Sequence, residues 1–175
     1  MNGKICRILL YGNPILRQKT IRIDKIDEAV KKVIADLKAT IIVKNGLGLA
    51  ANQIGSSFRI FCYNPEYFDL GKEPVVIINP EIIHQAGHDE SEEGCLSLPG
   101  INEIVPRARH VVIRGLSETG EELTISGRDL LARVFQHEID HLDGKFFIDY
   151  LSPLRKKMLE KELAEIIKMA QERCE

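Results

Sequence analysis

The sequence has no apolar run near the ~18 residues that a membrane span requires. Its first segment, Met1 to Leu10, carries one short apolar patch, Ile8-Leu9-Leu10, with no long apolar core and no small-residue cleavage site. That pattern argues against a secretory signal and for the cytoplasm. Cysteine is scarce: the 4 residues Cys6, Cys62, Cys95 and Cys174 are irregularly spaced and form no CxxC pair. A disulfide framework is therefore not expected in a chain of this size and type. Neither sign of charge dominates, since the formal net charge is -2. Such a balance gives no ground for DNA or other general nucleic-acid binding. No repeat, low-complexity tract or Gly/Ser/Pro-rich linker divides residues 1–175, so a single domain is expected. What remains is 44% hydrophobic and 29% charged over 175 residues, enough for a soluble fold with a sizeable core.

Helical periodicity is clearest in three places. Ile26, Val30, Val33, Ile34, Leu37 and Ile41 recur on one face and predict a helix from Ile26 to Lys44. Asp24 or Asp27 can cap it, and Asn45-Gly46 stops it. A second helix is expected from Arg128 to Leu142, with Ser126 as candidate cap and Asp143-Gly144 at its end. A third begins after Ser152, with Pro153 in its first turn, and runs over 152–173. Between them, Arg59 to Tyr63, Val75 to Asn79, His110 to Leu116 and Glu121 to Ser126 are short and β-branched, and read as strands. Another short strand is expected between the last two helices. The order indicates α+β, with mainly antiparallel sheets packed around the second helix.

That helix carries His137-Glu138-Ile139-Asp140-His141. A spacing of four places both imidazoles on one face, where they can grip one metal ion. Glu138 sits on the edge of the same face, within reach for moving a proton. The bland alternative is two histidines in a partly buried helix beside a solvated glutamate. A catalytic site of this kind needs a third ligand. Cys95, in Glu93-Gly94-Cys95-Leu96-Ser97, is the best candidate, with His84, His88 and His110 as competitors; composition does not choose among them. A further segment, Gly46-Leu47-Gly48-Leu49-Ala50-Ala51-Asn52-Gln53, has little side-chain bulk. An extended peptide could lie against it, and Gln53 offers an amide donor for an oxyanion. Taken alone, it reads equally as an ordinary strand start.

Together, these three segments resemble the peptide deformylases, whose GxGxAAxQ, EGCxS and HExDH motifs occur here in the same order with every fixed position matched. The likeness covers about residues 5 to 157. It implies hydrolysis of the N-formyl group from the formyl-methionine of new proteins, with release of formate. It also implies that Cys95, His137 and His141 bind one divalent ion, Fe(II) in the cell with Zn, Ni or Co as substitutes. Glu138 would be the general acid/base, and Gln53 and the Leu96 N–H the oxyanion donors. Gly48 would hold the peptide in strand-like pairing, with Glu93 and Gly94 on the substrate side. Leu47, Leu130 and Val134 could line the methionine pocket. Asn52 falls at a position the family varies. The resemblance extends to a ribosome contact by the C-terminal helix, for which a solvated face is the equal alternative. N-formylmethionyl peptides are the expected partners, and a monomer without membrane contact the expected state.

Overall fold

The computed structural model describes residues 3–172. Its first α-helix is α1 (Glu28–Lys44), whose first turn is capped by the Asp27 carboxylate accepting the Val30 N–H at 3.0 Å. Asn45 closes it in the left-handed region at φ 57. Strands β1 (Gly48–Ala50), β2 (Ile60–Tyr63), β3 (Val75–Ala86), β4 (Asp89–Cys95), β5 (Leu98–Arg107), β6 (His110–Leu116) and β7 (Glu122–Arg128) follow. Then come α2 (Asp129–Leu142), α3 (Pro153–Met158) and α4 (Glu160–Glu172). Every pairing between these strands is antiparallel, in a five-stranded sheet ordered β1-β2-β3-β6-β7 and a separate β4-β5 hairpin. The α+β architecture expected from the sequence is the one observed.

Strand β2 shows how the layers form. All four of its residues are buried. Side chains alternate along a strand, so Ile60 and Cys62 join the core under α1 while Phe61 and Tyr63 join the core under α2. The large sheet is thus covered on both faces, and the apolar alternation of β2 is hidden because each side is apolar. On the α2 face, Phe135 is fully buried with its ring 6.1 Å from Phe61 and 5.4 Å from Tyr63, the latter edge-on. A third core gathers Leu98, Val105, Phe146, Phe147 and Ile166 between the hairpin and the C-terminal helices.

Four local expectations need correction. Ser126 lies inside β7 and pairs with His110 across to β6 at 2.9 Å, so it does not cap α2. Arg128 takes the cap position without a side-chain bond. The expected short strand after α2 is a 3-10 turn, Phe147–Tyr150. Asp149 makes it so, because its carboxylate accepts the Phe146 N–H at 2.9 Å and closes the chain locally. The C-terminal helix is two, broken at buried Leu159. Finally, β3 runs on past Asn79 to Ala86, and the hairpin β4-β5 is new. Cys174 lies outside the described residues.

Truncation of Phe135 to alanine removes contacts to both aromatic neighbours in a site with no room to collapse. A loss of about 3–5 kcal/mol is expected in urea unfolding, and a loss below about 1 kcal/mol would show that α2 is not anchored through this ring.

Candidate metal centre

The position of α2 brings its inner face against the open end of β4. There Cys95 Sγ lies 3.1 Å from His141 Nε2, which in turn lies 3.1 Å from His137 Nε2. All three ligand atoms fall within 4.8 Å of one another. A tetrahedral ion at zinc-type bond lengths sets such atoms roughly 3.3–3.6 Å apart. The S,N,N donor set and its spacing therefore fit one small divalent ion. His84, His88 and His110, the competing third ligands, are not part of this cluster.

Each donor is held from behind. The His137 Nδ1–H donates to Glu93 at 2.9 Å, which turns its Nε2 inward. Glu93 is 5% exposed, yet it also receives Arg107 at 2.7 and 3.1 Å and Arg133 at 2.8 Å. Arg107 continues to Asp140 at 2.5 Å, and Tyr150 donates to the same carboxylate at 2.9 Å. Burial pushes the Glu93 carboxyl upward, but the His137 and Arg107 bonds outweigh it and hold the group at about 2. His137 is likewise penalised by burial, and its bonds to Cys95 and Glu93 win, raising it well above the ordinary histidine range. Burial, then His137 and Arg107, drives His141 well below that range. A neutral imidazole is the form that binds an ion.

Beside the three donors stands Glu138. Burial lifts its carboxyl to about 7, and its Oε2 has no hydrogen-bond partner. Gln53 is fixed at both ends of its amide. Its Oε1 accepts the Ala50 N–H at 2.9 Å, while Nε2 donates to Ser97 Oγ at 3.1 Å and lies 3.5 Å from Cys95 Sγ. The Ser97 N–H reaches the same sulfur at 3.4 Å. Glycine at 48 is a matter of clearance, because a Cβ there would stand 2.7 Å from Glu138 Cδ.

In front of the centre opens a cavity of about 370 Å³. Leu47, Gly48, Gly94, Leu96, Leu130 and Val134, all expected near substrate, line it. Val134 is buried while Leu130 is 46% exposed at the mouth. Glu93 also borders the cavity, but its oxygens are engaged by Arg107, Arg133 and His137. Sequence reasoning assigned no role to Ser97, a fixed position of EGCxS, and missed Arg107 and Arg133, whose partners lie up to 44 positions away and leave no local signal.

Residues 5–157 match the family model for polypeptide deformylase. The chain belongs to that family. A peptide deformylase from Pseudothermotoga lettingae is 45% identical over 166 residues, 94% of each chain. One from Syntrophobacter fumaroxidans is 40% identical over 95% of this chain and 98% of its own. Among solved structures, the peptide deformylase of Legionella pneumophila superposes with a TM-score of 0.86 at 40% identity, covering 97% of this chain and 99% of that one. The Thermus thermophilus deformylase gives 0.85 at 40% identity, over 95% and 99%. The chain is thus an enzyme of deformylase type, acting in the N-terminal processing of new proteins, and its family is metal-dependent.

Replacing Glu93 with glutamine takes one anionic partner from each of two buried guanidinium groups, leaving Arg107 with Asp140 and Arg133 with Asp89, and a loss of about 3 kcal/mol is expected. The wild type should carry the matching pH signature. Its folded carboxyl binds a proton less readily than the unfolded one, at about 2 against 4.5. Protonation thus favours unfolding, and the stabilisation is complete above pH 4.5 and lost as pH falls toward 2. Denaturant titrations between about pH 6 and 3 should show a steeper decline for the wild type than for Glu93→Gln; parallel declines would refute this role.

Proposed function

We propose that Cys95, His137 and His141 hold one divalent ion, Fe(II) in the cell, with Zn, Ni or Co able to replace it, and that Glu138 moves the proton in deformylation. The observation that carries this reading is the Glu138 carboxylate, buried beside the three donors, bordering the cavity and unpartnered at Oε2. A structural metal site has no use for such a group. A bound ion supplies a Lewis acid there and makes water nucleophilic near neutral pH.

The protein groups do the rest. Glu138 takes a proton from the attacking water and returns it to the departing amino nitrogen. The Gln53 Nε2, exchanging its long 3.5 Å contact to Cys95 Sγ for the substrate, and the Leu96 N–H receive the negative charge that develops on the formyl oxygen. Their value lies in being fixed beforehand, since Gln53 is already held by Ala50 and Ser97. The backbone at Gly48 and Gly94 takes the extended peptide, and Leu47, Leu130 and Val134 take the methionine side chain. Glu93 orients His137 and does not meet the substrate. All donors come from one chain, so a monomer suffices. The substrates are N-formylmethionyl chains met in the cytoplasm as they leave the ribosome, and Lys156 and Lys157 on α3 offer that partner a basic surface.

The test is formate release from formyl-Met-Ala-Ser by anaerobic, iron-loaded protein. Glu138→Gln should retain the ion and lose roughly 10²–10⁴-fold in turnover. Cys95→Ser should lose the ion itself. If Cys95→Ser kept both ion and activity, the ligand set would be wrong, and an HExxH peptidase with another third ligand would be favoured. Gly48→Ala should displace Glu138, lowering kcat with ion content unchanged; a variant of undiminished kcat would show that position 48 has slack.

A further inference from the structure

Three buried side-chain polar atoms lack a hydrogen-bond partner among the described residues: Glu138 Oε2, Asn52 Oδ1 and His141 Nδ1. The first belongs to the carboxylate that borders the cavity and is used in the proposed reaction. The other two are complementary, and the deformylase reading assigns them no role.

His141 directs Nε2 at Cys95 Sγ and His137 Nε2, both at 3.1 Å. A neutral imidazole that ligates through Nε2 carries its proton on Nδ1, and that N–H needs an acceptor. His137 has one in Glu93 at 2.9 Å. His141, 1% exposed, has none. Asn52 is 0% exposed and donates Nδ2 to the His141 carbonyl at 2.5 Å. That bond settles the orientation of the amide, because the flipped form would set two oxygens against each other. Its Oδ1 is therefore an acceptor without a donor, on the residue already bonded to His141. Buried groups of this kind are commonly joined by a single enclosed water.

We propose that Asn52 is the positioning residue of His141, its Oδ1 accepting the Nδ1–H through one buried water while its Nδ2 holds the same residue's backbone. This rests on His141 being an ion ligand. The two histidines of the centre would then be oriented differently, His137 by a carboxylate and His141 by a neutral amide. The arrangement adds no further negative charge around a site that already holds Cys95, Glu93 and Glu138.

The experiment compares zinc release to excess EDTA from wild type, Asn52→Ala, Asn52→Ser and Thr20→Val. Thr20 supplies the control, since its hydroxyl donates at 2.8 Å to the carbonyl of Leu142, the residue after His141. Both Asn52 variants should release zinc roughly 10–100-fold faster, with a shifted visible spectrum in their cobalt(II) forms, while Thr20→Val keeps the wild-type rate and spectrum. Equal rates in all four proteins would overturn the proposal, as would acceleration by Thr20→Val of the same size, which would indicate a loosened helix end. In zinc-loaded wild type, ¹⁵N-histidine NMR should show a His141 Nδ1–H slow to exchange. Rapid exchange, or ligation through Nδ1, would overturn it without any variant. Failure of the wild type to bind one zinc per chain would refute the ligand set and not the Asn52 assignment alone.

Discussion

The carboxylate of Glu93 is the constraint on which the site depends. It sits at 5% exposure on β4 and gathers Arg107 from β5 with Arg133 and His137 from α2. A lone buried carboxylate would take up a proton instead of staying charged. Here the charge persists because two guanidinium groups and an imidazole N–H meet it. The same bonds pin the hairpin to the helix. One ion cluster thus ties the small sheet to α2 and sets the direction of the His137 ring.

The two sides of the centre are built differently. Toward the cavity, polar groups are held loosely: Glu138 has no hydrogen-bond partner on Oε2, and one Gln53 hydrogen makes only a 3.5 Å contact to Cys95 Sγ. Behind it, the carboxylates are engaged. Asp140 receives both Arg107 and Tyr150, and Asp143 just beyond the helix binds Arg59 at 2.8 Å. Rigidity behind and unsatisfied capacity in front is the arrangement that electrostatic preorganisation requires.

Much of this was legible in the sequence, and the parts that were not have physical reasons. Helix α2 is announced by its Asp143-Gly144 stop, and β6 falls at 110–116 as its β-branched run suggests. That His137 and His141 share a face follows from helical geometry alone. The approach of Cys95 to them did not follow from geometry; it needed the family resemblance, because a cysteine at a strand end looks like any small buried side chain. The hairpin escaped notice since β4 reads Asp-Glu-Ser-Glu-Glu-Gly-Cys, with charge where a strand pattern should alternate. Its buried member is Glu93, and an ion cluster stands where apolar contacts are usual. Asn52 gave no signal either, as its partner is a backbone carbonyl 89 residues away.

That acidic strand has a consequence for the protein among its neighbours. The hairpin is two-stranded, so β4 has a side that no strand of the fold occupies. An unoccupied sheet edge invites association with any extended chain, including misfolded copies of itself. Exposed Glu90 and Glu92 give this edge like charge, so two such edges repel each other on approach. A short uncharged peptide meets no such barrier. The composition that hid the strand from pattern reading also opposes edge-to-edge pairing of two copies of the chain.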